Sequence, residues 1–342
     1  VNGSRAVEVS RVEPRQPDRK TIDAAVALAC RAPSVHNTQP WRWRVGDRSA
    51  HLYADASRRL PATDPTGTDL LLSCGAALHH LRIALAGLGW RAIVHRLPNP
   101  AEPDHLAAVE FARHEPTEAE IALAAAIPRR RTDRRHYSSW RVPDTVTALL
   151  EERAAAEDAV LCRVTGSHPR SALAVATGQA AAWQAADPGY RWELSTWSGR
   201  HADAEGVPAV SAPAGLPRHG DVQLREFPGG ELFDEPSGEW EEDGALLLVL
   251  AAASEDRLST LRAGEAMSAV LLEATCAGLA TCPLSQPLEV ATTRDRVRDE
   301  VLDGLLSPRI VLRVGWAAFG AEPLPPTPRR PLGNVVEELE NA

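Results

Sequence analysis

Between Cys30 and Trp43 the chain reads Cys-Arg-Ala-Pro-Ser-Val-His-Asn-Thr-Gln-Pro-Trp-Arg-Trp. This stretch constrains the fold because it sets an order of elements. Ile22, Ala25, Val26, Ala29 and Cys30 recur at helical spacing, which predicts an amphipathic helix leading into it. Pro33 disfavours helical geometry at Ala32 and lacks a backbone donor, so the helix should stop there. Ser34, His36, Asn37, Thr38 and Gln39 form a polar run. Pro40 ends it, and Trp41, Trp43 and Val45 alternate as in a half-buried strand. Helix, polar loop and strand thus follow directly. Two readings stand: an ordinary turn, which uses the same residue types, or a loop built to hydrogen-bond a flat ligand with a polar edge.

The chain has 342 residues, enough for two domain-sized units or one large one. The formal charge of −9 disfavours a nucleic-acid binder. No apolar run reaches the roughly 18 residues of a membrane span, and the N-terminus lacks the apolar core of a signal peptide, so a cytoplasmic protein is expected. Cysteines 30, 74, 162, 276 and 282 form no CxxC pair, so neither zinc nor a disulfide framework is expected.

In chain order, residues 1–20 read as a charged leader. Strands are expected at Trp41–Val45, His51–Ala54, Ala92–Leu97 and Leu106–Phe111, with a long buried helix ending at Gly87-Leu88-Gly89. Thr117 and Glu120 have capping-box spacing. The run Arg129-Arg130-Arg131-Thr132-Asp133-Arg134-Arg135 is either a solvated face or a phosphate site, since arginine forks suit phosphate oxygens. Asp144 is the expected cap of the next helix. Residues 199–243 are rich in Gly, Pro and acids and lack periodicity, as in an active-site lid or a flexible insertion. Ala245–Ala253 suits a strand buried on both faces. A second long helix reaches Gly278, a strand spans Arg309–Trp316, and the Pro-rich tail with Arg329 and Arg330 suits a reaching arm.

The two long helices share a pattern: Leu81 through Gly89 resembles Leu272 through Ala280. This is either a degenerate repeat or the common look of Ala/Leu helices ending in Gly-Leu. Of the remaining signals, His79 and His80 are adjacent and so should not share a helix face. His36 can pack, hydrogen-bond or donate a proton. Trp41, Trp192 or Trp197 could wall a flat pocket.

The loop Ala32-Pro33-Ser34-Val35-His36-Asn37-Thr38-Gln39-Pro40-Trp41 resembles the APS-x-x-N-x-QPW motif of the nitroreductase family, and with His36 its actinobacterial, fused-half Acg-type branch. Members are FMN proteins of roughly half this length that form intertwined dimers. The resemblance therefore implies an α+β nitroreductase-like fold. Two halves, each a mainly antiparallel sheet flanked by helices, would be fused into a pseudo-dimer. After the leader, residues 21–115 would form the first half, carrying the loop. Residues 116–342 would form the second, carrying the arginines, the 199–243 insertion and the C-terminal arm.

By the same resemblance Pro33, Ser34 and Asn37 would meet the flavin. Arg130, Arg131, Thr132 and Arg134 match an RRS-x-R phosphate clamp. Pro283, Leu284, Ser285 and Gln286 match a stretch beside the reactive flavin nitrogen. Arg329 and Arg330 would add to the phosphate site. Each half lacks the motif that the other carries, so one FMN per chain is expected. The implied activity is transfer of hydride or electrons from reduced flavin to a nitro compound, quinone or other flat acceptor, with NAD(P)H as donor. No catalytic residue and no metal are implied, since the flavin carries the chemistry. An alternative is an FMN-sequestering protein with its site shut by the insertion and little turnover; a third is chemistry on the flavin itself. The chain would be a monomeric pseudo-dimer or a weak homodimer, without nucleic-acid or membrane partners.

Overall fold

The computed structural model describes residues 16–199, 204–214, 218–220, 222–232 and 243–339. The first elements are α1 (Arg19–Ala29), β1 (Trp41–Val45), β2 (Ser49–Ala54), α2 (Thr68–Gly87), β3 (Trp90–Arg96) and β4 (His105–Arg113). Next come α3 (Glu118–Ala126), α4 (Asp144–Ala155), β5 (Val160–Arg163), α5 (Ser167–Ala186) and α6 (Pro188–Thr196). A short ribbon, β6 (Arg218–His219) and β7 (Val222–Gln223), precedes β8 (Leu246–Ala252). The chain continues through α7 (Arg257–Cys276), β9 (Ala280–Leu284), α8 (Gln286–Glu289), α9 (Ala291–Arg296), β10 (Ser307–Gly315) and β11 (Val336–Glu338).

Two sheets carry the same plan. The first runs β1-β2-β4-β3 with β11 added at the β1 edge, and the second runs β5-β8-β10-β9. Within each four-strand set all neighbours are antiparallel. β11 pairs with β1 in parallel, placing Val336 opposite Trp43. In β2, Ala50, Leu52 and Ala54 are buried while their neighbours are half-buried, the alternation of a sheet with one core face. β8 is buried from Leu247 to Ala252, as its continuous apolar run requires. Pro283 sits inside β9, where it is tolerated because β9 is an edge strand. The fold is the expected α+β arrangement of two sheets flanked by helices.

The sheets are held together by α2 crossing α7 at glycines. A Cβ on Gly75 would lie 2.1 Å from Leu261 O, and one on Gly264 would lie 2.3 Å from Leu72 O. Only glycine allows this backbone approach. The left-handed glycines after the helices, Gly89 and Gly278, fall at the same offset as Gly75 and Gly264. The structural repeat is therefore shifted by two residues from the pairing of Gly87 with Gly278 suggested by sequence. α2 is long and apolar enough to cross a membrane by length and composition, yet it is mostly buried in the core.

Local signals are resolved individually. Thr117 and Glu120 form the capping box of α3. Asp144 is not a cap: Pro143 holds that position, and the Asp144 carboxylate pairs with Arg141 and Arg163. His79 and His80 do converge, because both Nδ1 atoms lie 2.8 Å from the Ser268 hydroxyl on α7. A partner reaching between them overrides the spacing argument. Trp41 is wholly buried in the core and Trp192 is exposed, while Trp197 lies under Arg58.

Candidate functional site

α1 starts at the Asp18 cap, whose carboxylate accepts from Thr21 N at 2.8 Å, and stops at Ala29. The loop that follows doubles back on itself. Ser34 Oγ accepts from Gln39 N at 2.9 Å, and Thr38 Oγ1 donates to Val35 O at 2.9 Å. His36, Asn37 and Gln39 have φ of 44°, 55° and 50°. Left-handed backbone at non-glycine residues costs on the order of 1–2 kcal/mol each, so the surroundings must impose it. They do so from two distant segments. Asn37 Nδ2 donates to Gly206 O (3.0 Å) and Pro328 O (3.3 Å). Gln39 Nε2 donates to Ala204 O (2.8 Å), and Gln39 Oε1 accepts from Arg330 N (2.8 Å).

The arginine segment is tied to the second sheet. Asp133 N donates to Thr281 O at 2.9 Å, Tyr137 Oη donates to Asp133 O at 2.7 Å, and the Asp133 carboxylate pairs with Arg135. This pinning buries Arg130 and leaves Arg134 half-buried. Arg130 is 5% exposed, and its Nε and Nη1 have no hydrogen-bond partner. Arg134 donates to Ser211 O at 2.8 Å and lies over the Phe227 ring at 4.8 Å. Arg329, on the arm, donates to Cys30, Arg31 and Ala32 carbonyls at 3.0 Å, capping the C-terminal end of α1 with a cation. Among the described residues none of the three pairs with a carboxylate. Burial lowers the Arg134 guanidinium and pulls Arg130 down to about 10 and Arg329 to about 9, with neighbouring arginines adding to the effect.

These groups line two contiguous cavities. The smaller is bounded by Asn37, Arg130 and Arg329 together with Ser211 and Thr327. The larger encloses about 840 Å³, mouth included, and is bounded by Pro283, Leu284, Ser285 and Gln286 with Leu72, Met267 and Cys282. Pro33, Ser34, His36, Thr132 and Arg134 line both. A cationic compartment thus opens into a larger, mainly apolar one, which suits a planar group carrying an anionic tail.

Two sequence-derived candidates stand apart. Arg131 donates to Pro128, Arg130 and Leu324 carbonyls, and Arg330 to those of Gln39 and Asn334, so both brace loop and arm. Asn37 and Ser285 line different cavities. Ser285 Oγ donates to Glu289 Oε1 at 2.7 Å.

Other groups complete the walls. Gln223, Leu224, Arg225 and Phe227, from the 199–243 insertion, wall the larger pocket. Arg225 pairs with Glu289 and donates to the Tyr190 hydroxyl. His36 is buried edge-on to Phe227, and neither ring nitrogen has a partner. Burial, Arg225 and Arg134 push its pKa well below the ordinary value, so it is neutral. Asp69, in the first turn of α2, reaches the pocket wall. His36 stood out by its place in the loop and the insertion by its low periodicity, while nothing in the sequence pointed to Asp69 or Arg225.

No family model matches the chain. Curated relatives do. The Mycobacterium tuberculosis protein named "Putative NAD(P)H nitroreductase Rv3131" is 48% identical over 321 residues, 94% of this chain and 92% of its own length. The chain belongs to the nitroreductase family. The same organism's "Putative NAD(P)H nitroreductase acg" is 40% identical over 315 residues, 92% of this chain and 94% of its own length. Acg is thus among the relatives of this family member. Among solved structures, the Mycobacterium smegmatis FMN-dependent nitroreductase NfnB with NADPH is 17% identical, covering 64% of this chain and 99% of that one at a TM-score of 0.38. A likeness that weak says nothing of the chemistry here.

Proposed function

We propose that this nitroreductase-family oxidoreductase binds FMN across the two cavities and uses it to pass electrons from NAD(P)H to a flat acceptor such as a quinone or nitro compound. One observation carries this reading: Arg130, buried, and Arg134 and Arg329, half-buried, line one cavity with no acid paired to them among the described residues. Burying a guanidinium without a counter-charge is costly. A phosphate supplies the missing charge and the acceptors that Arg130 Nε and Nη1 lack. The relatives' names agree with a nicotinamide donor.

In this reading Arg130, Arg134 and Arg329 hold the phosphate, with Thr132 beside them. Pro33, Ser34 and the Pro283–Gln286 edge hold the ring, and Asn37 pins the loop to insertion and arm. Bound FMN would supply the two-electron redox chemistry. The residues bind it, orient it and exclude water.

A second reading has its own observation. Leu224 and Phe227 are buried over the larger pocket, and the Arg225–Glu289 pair ties the insertion down. FMN held under such a cover would be stored with little turnover. Anaerobic stopped-flow mixing of the FMN-loaded protein with NADPH or NADH separates the two. Flavin bleaching within seconds supports the reductase. Retained flavin absorbance at millimolar donor overturns it in favour of storage.

A further inference from the structure

The larger pocket has a neighbour at the N-terminal end of α2. That second cavity is bounded by Asp64, Thr68, Glu255, Arg257, Arg294 and Arg309 among others. One residue, Asp69, lines both cavities. We infer that Asp69 is the proton relay between this outer, polar cavity and the covered inner pocket, serving the acceptor reduced there. The inference rests on the proposed flavin site.

The neighbouring acids have other tasks. Glu289 pairs with Arg225 and accepts from Ser285 and Gln184. Asp64 Oδ2 accepts from Leu70 N at 2.9 Å. Asp69 is 8% exposed, and its carboxyl makes no hydrogen bond among the described residues. The groups acting on it come from every side: Asp64 from the preceding loop, Glu289 from α8, Arg225 from the insertion and Arg294 from α9. Burial, Asp64 and Glu289 raise its pKa well above the ordinary carboxyl value, and Arg225 and Arg294 oppose them. The balance favours the protonated, neutral form of the carboxyl, the form that can donate. The pocket's other titratable groups do not serve: His36 is held neutral, and the Cys282 thiol is pushed up by burial.

The step balances. Reducing a quinone takes two electrons and two protons. A bound, reduced flavin would supply both electrons and one proton as a hydride equivalent. Asp69 supplies the other proton: its O–H bond breaks, and an O–H bond forms on the acceptor oxygen. The carboxylate left behind takes a proton from water in the outer cavity. Asp69 thus acts as a general acid, a role worth roughly 100-fold or more in rate.

The test begins with flavin titration of the wild-type protein and of Asp69→Asn. The FMN-loaded proteins are then reduced anaerobically and mixed with a benzoquinone in stopped flow. Asp69→Asn should slow quinone reduction roughly 100-fold. Rising concentrations of formic acid should restore it, and Asp69→Glu should keep most of the rate. Infrared difference spectra on wild-type protein with ¹³C-labelled aspartate should show a protonated-carboxyl band that moves in D₂O and with the label. This reading survives even if Asp69→Asn does not fold. Flavin uptake with an unchanged rate in Asp69→Asn, a loss that formic acid does not relieve, or absence of the infrared band overturns the relay alone. Failure of wild-type protein to take up flavin removes the flavin site and the relay with it.

Discussion

At the scale of the residue, Arg130 is the informative case. Its guanidinium is buried, lacks partners at Nε and Nη1, and is pushed down to about 10. A group in that position stores a cost that a ligand can relieve. Arg130→Met should therefore separate stability from binding. The ligand-free variant should melt at or above the wild-type temperature in scanning calorimetry. Its FMN affinity should fall on the order of 100-fold by fluorescence titration, the loss of one or two charge-assisted hydrogen bonds. A variant that melts lower yet binds FMN as tightly as wild type would refute the phosphate assignment. The residues of the cationic compartment were named through the resemblance to the nitroreductase motifs, since by residue type alone the loop could be an ordinary turn and the arginine run a solvated face. Arg131 and Arg330 were named with them, since adjacent arginines look alike until the backbone decides which one turns inward. Asp69 and Arg225 were hidden for another reason. Arg225 meets Tyr190 of α6 and Glu289 of α8, and Asp69 is enclosed by groups from the insertion, α8 and α9, long-range contacts that no local pattern records.

At the scale of the element, the crossing of α2 and α7 decides the architecture. Gly264→Ala would place a Cβ 2.3 Å from Leu72 O, against backbone that cannot rotate away. Overpacking of this kind costs about 1–3 kcal/mol or more, and a lower denaturation midpoint in urea would register it. The same interface holds His80, whose pKa burial and Arg130 lower to about 3. The unfolded chain takes up this proton near pH 6.5, and the folded chain does not. Stability from this site is therefore intact above pH 6.5 and is lost as pH falls toward 3, at up to about 1.4 kcal/mol per pH unit. His80→Gln should flatten that slope in urea titrations at pH 5 and pH 7. An unchanged slope would mean that His80 is not held neutral. Periodicity located both helices, and β8 as well, because long apolar runs admit few alternatives. It could not register the repeat, since the matching glycines are set by backbone contact and not by the Gly-Leu ending.

At the scale of the molecule, two halves of one plan carry unequal sites. α1 and β1 are joined by the eleven-residue loop Cys30–Pro40, whereas α4 passes into β5 through Ala156–Ala159 alone. The shorter connection has no room for a second Pro-Ser-Asn turn. Its acids are instead engaged by neighbouring arginines. Arg82 bonds Glu157 and the fully buried Glu265, Arg96 bonds Glu265 through two nitrogens, and Arg262 pairs with Asp158. By the glycine offset, Arg96 on β3 stands where Ser285 follows β9, so side chains occupy the place of a pocket edge. The segment before α1, counterpart of Arg130–Arg134, lies largely outside the described residues. The site that remains draws on both halves and on the arm, whose β11 joins the first sheet. FMN should therefore saturate the purified chain at one equivalent, measured by absorbance of bound flavin against protein mass. Asn37→Ala in the first half and Arg134→Ala in the second should each reduce that single equivalent. Saturation at two equivalents would mean that the filled position opens. Retention of full binding in both variants would mean that the flavin sits elsewhere.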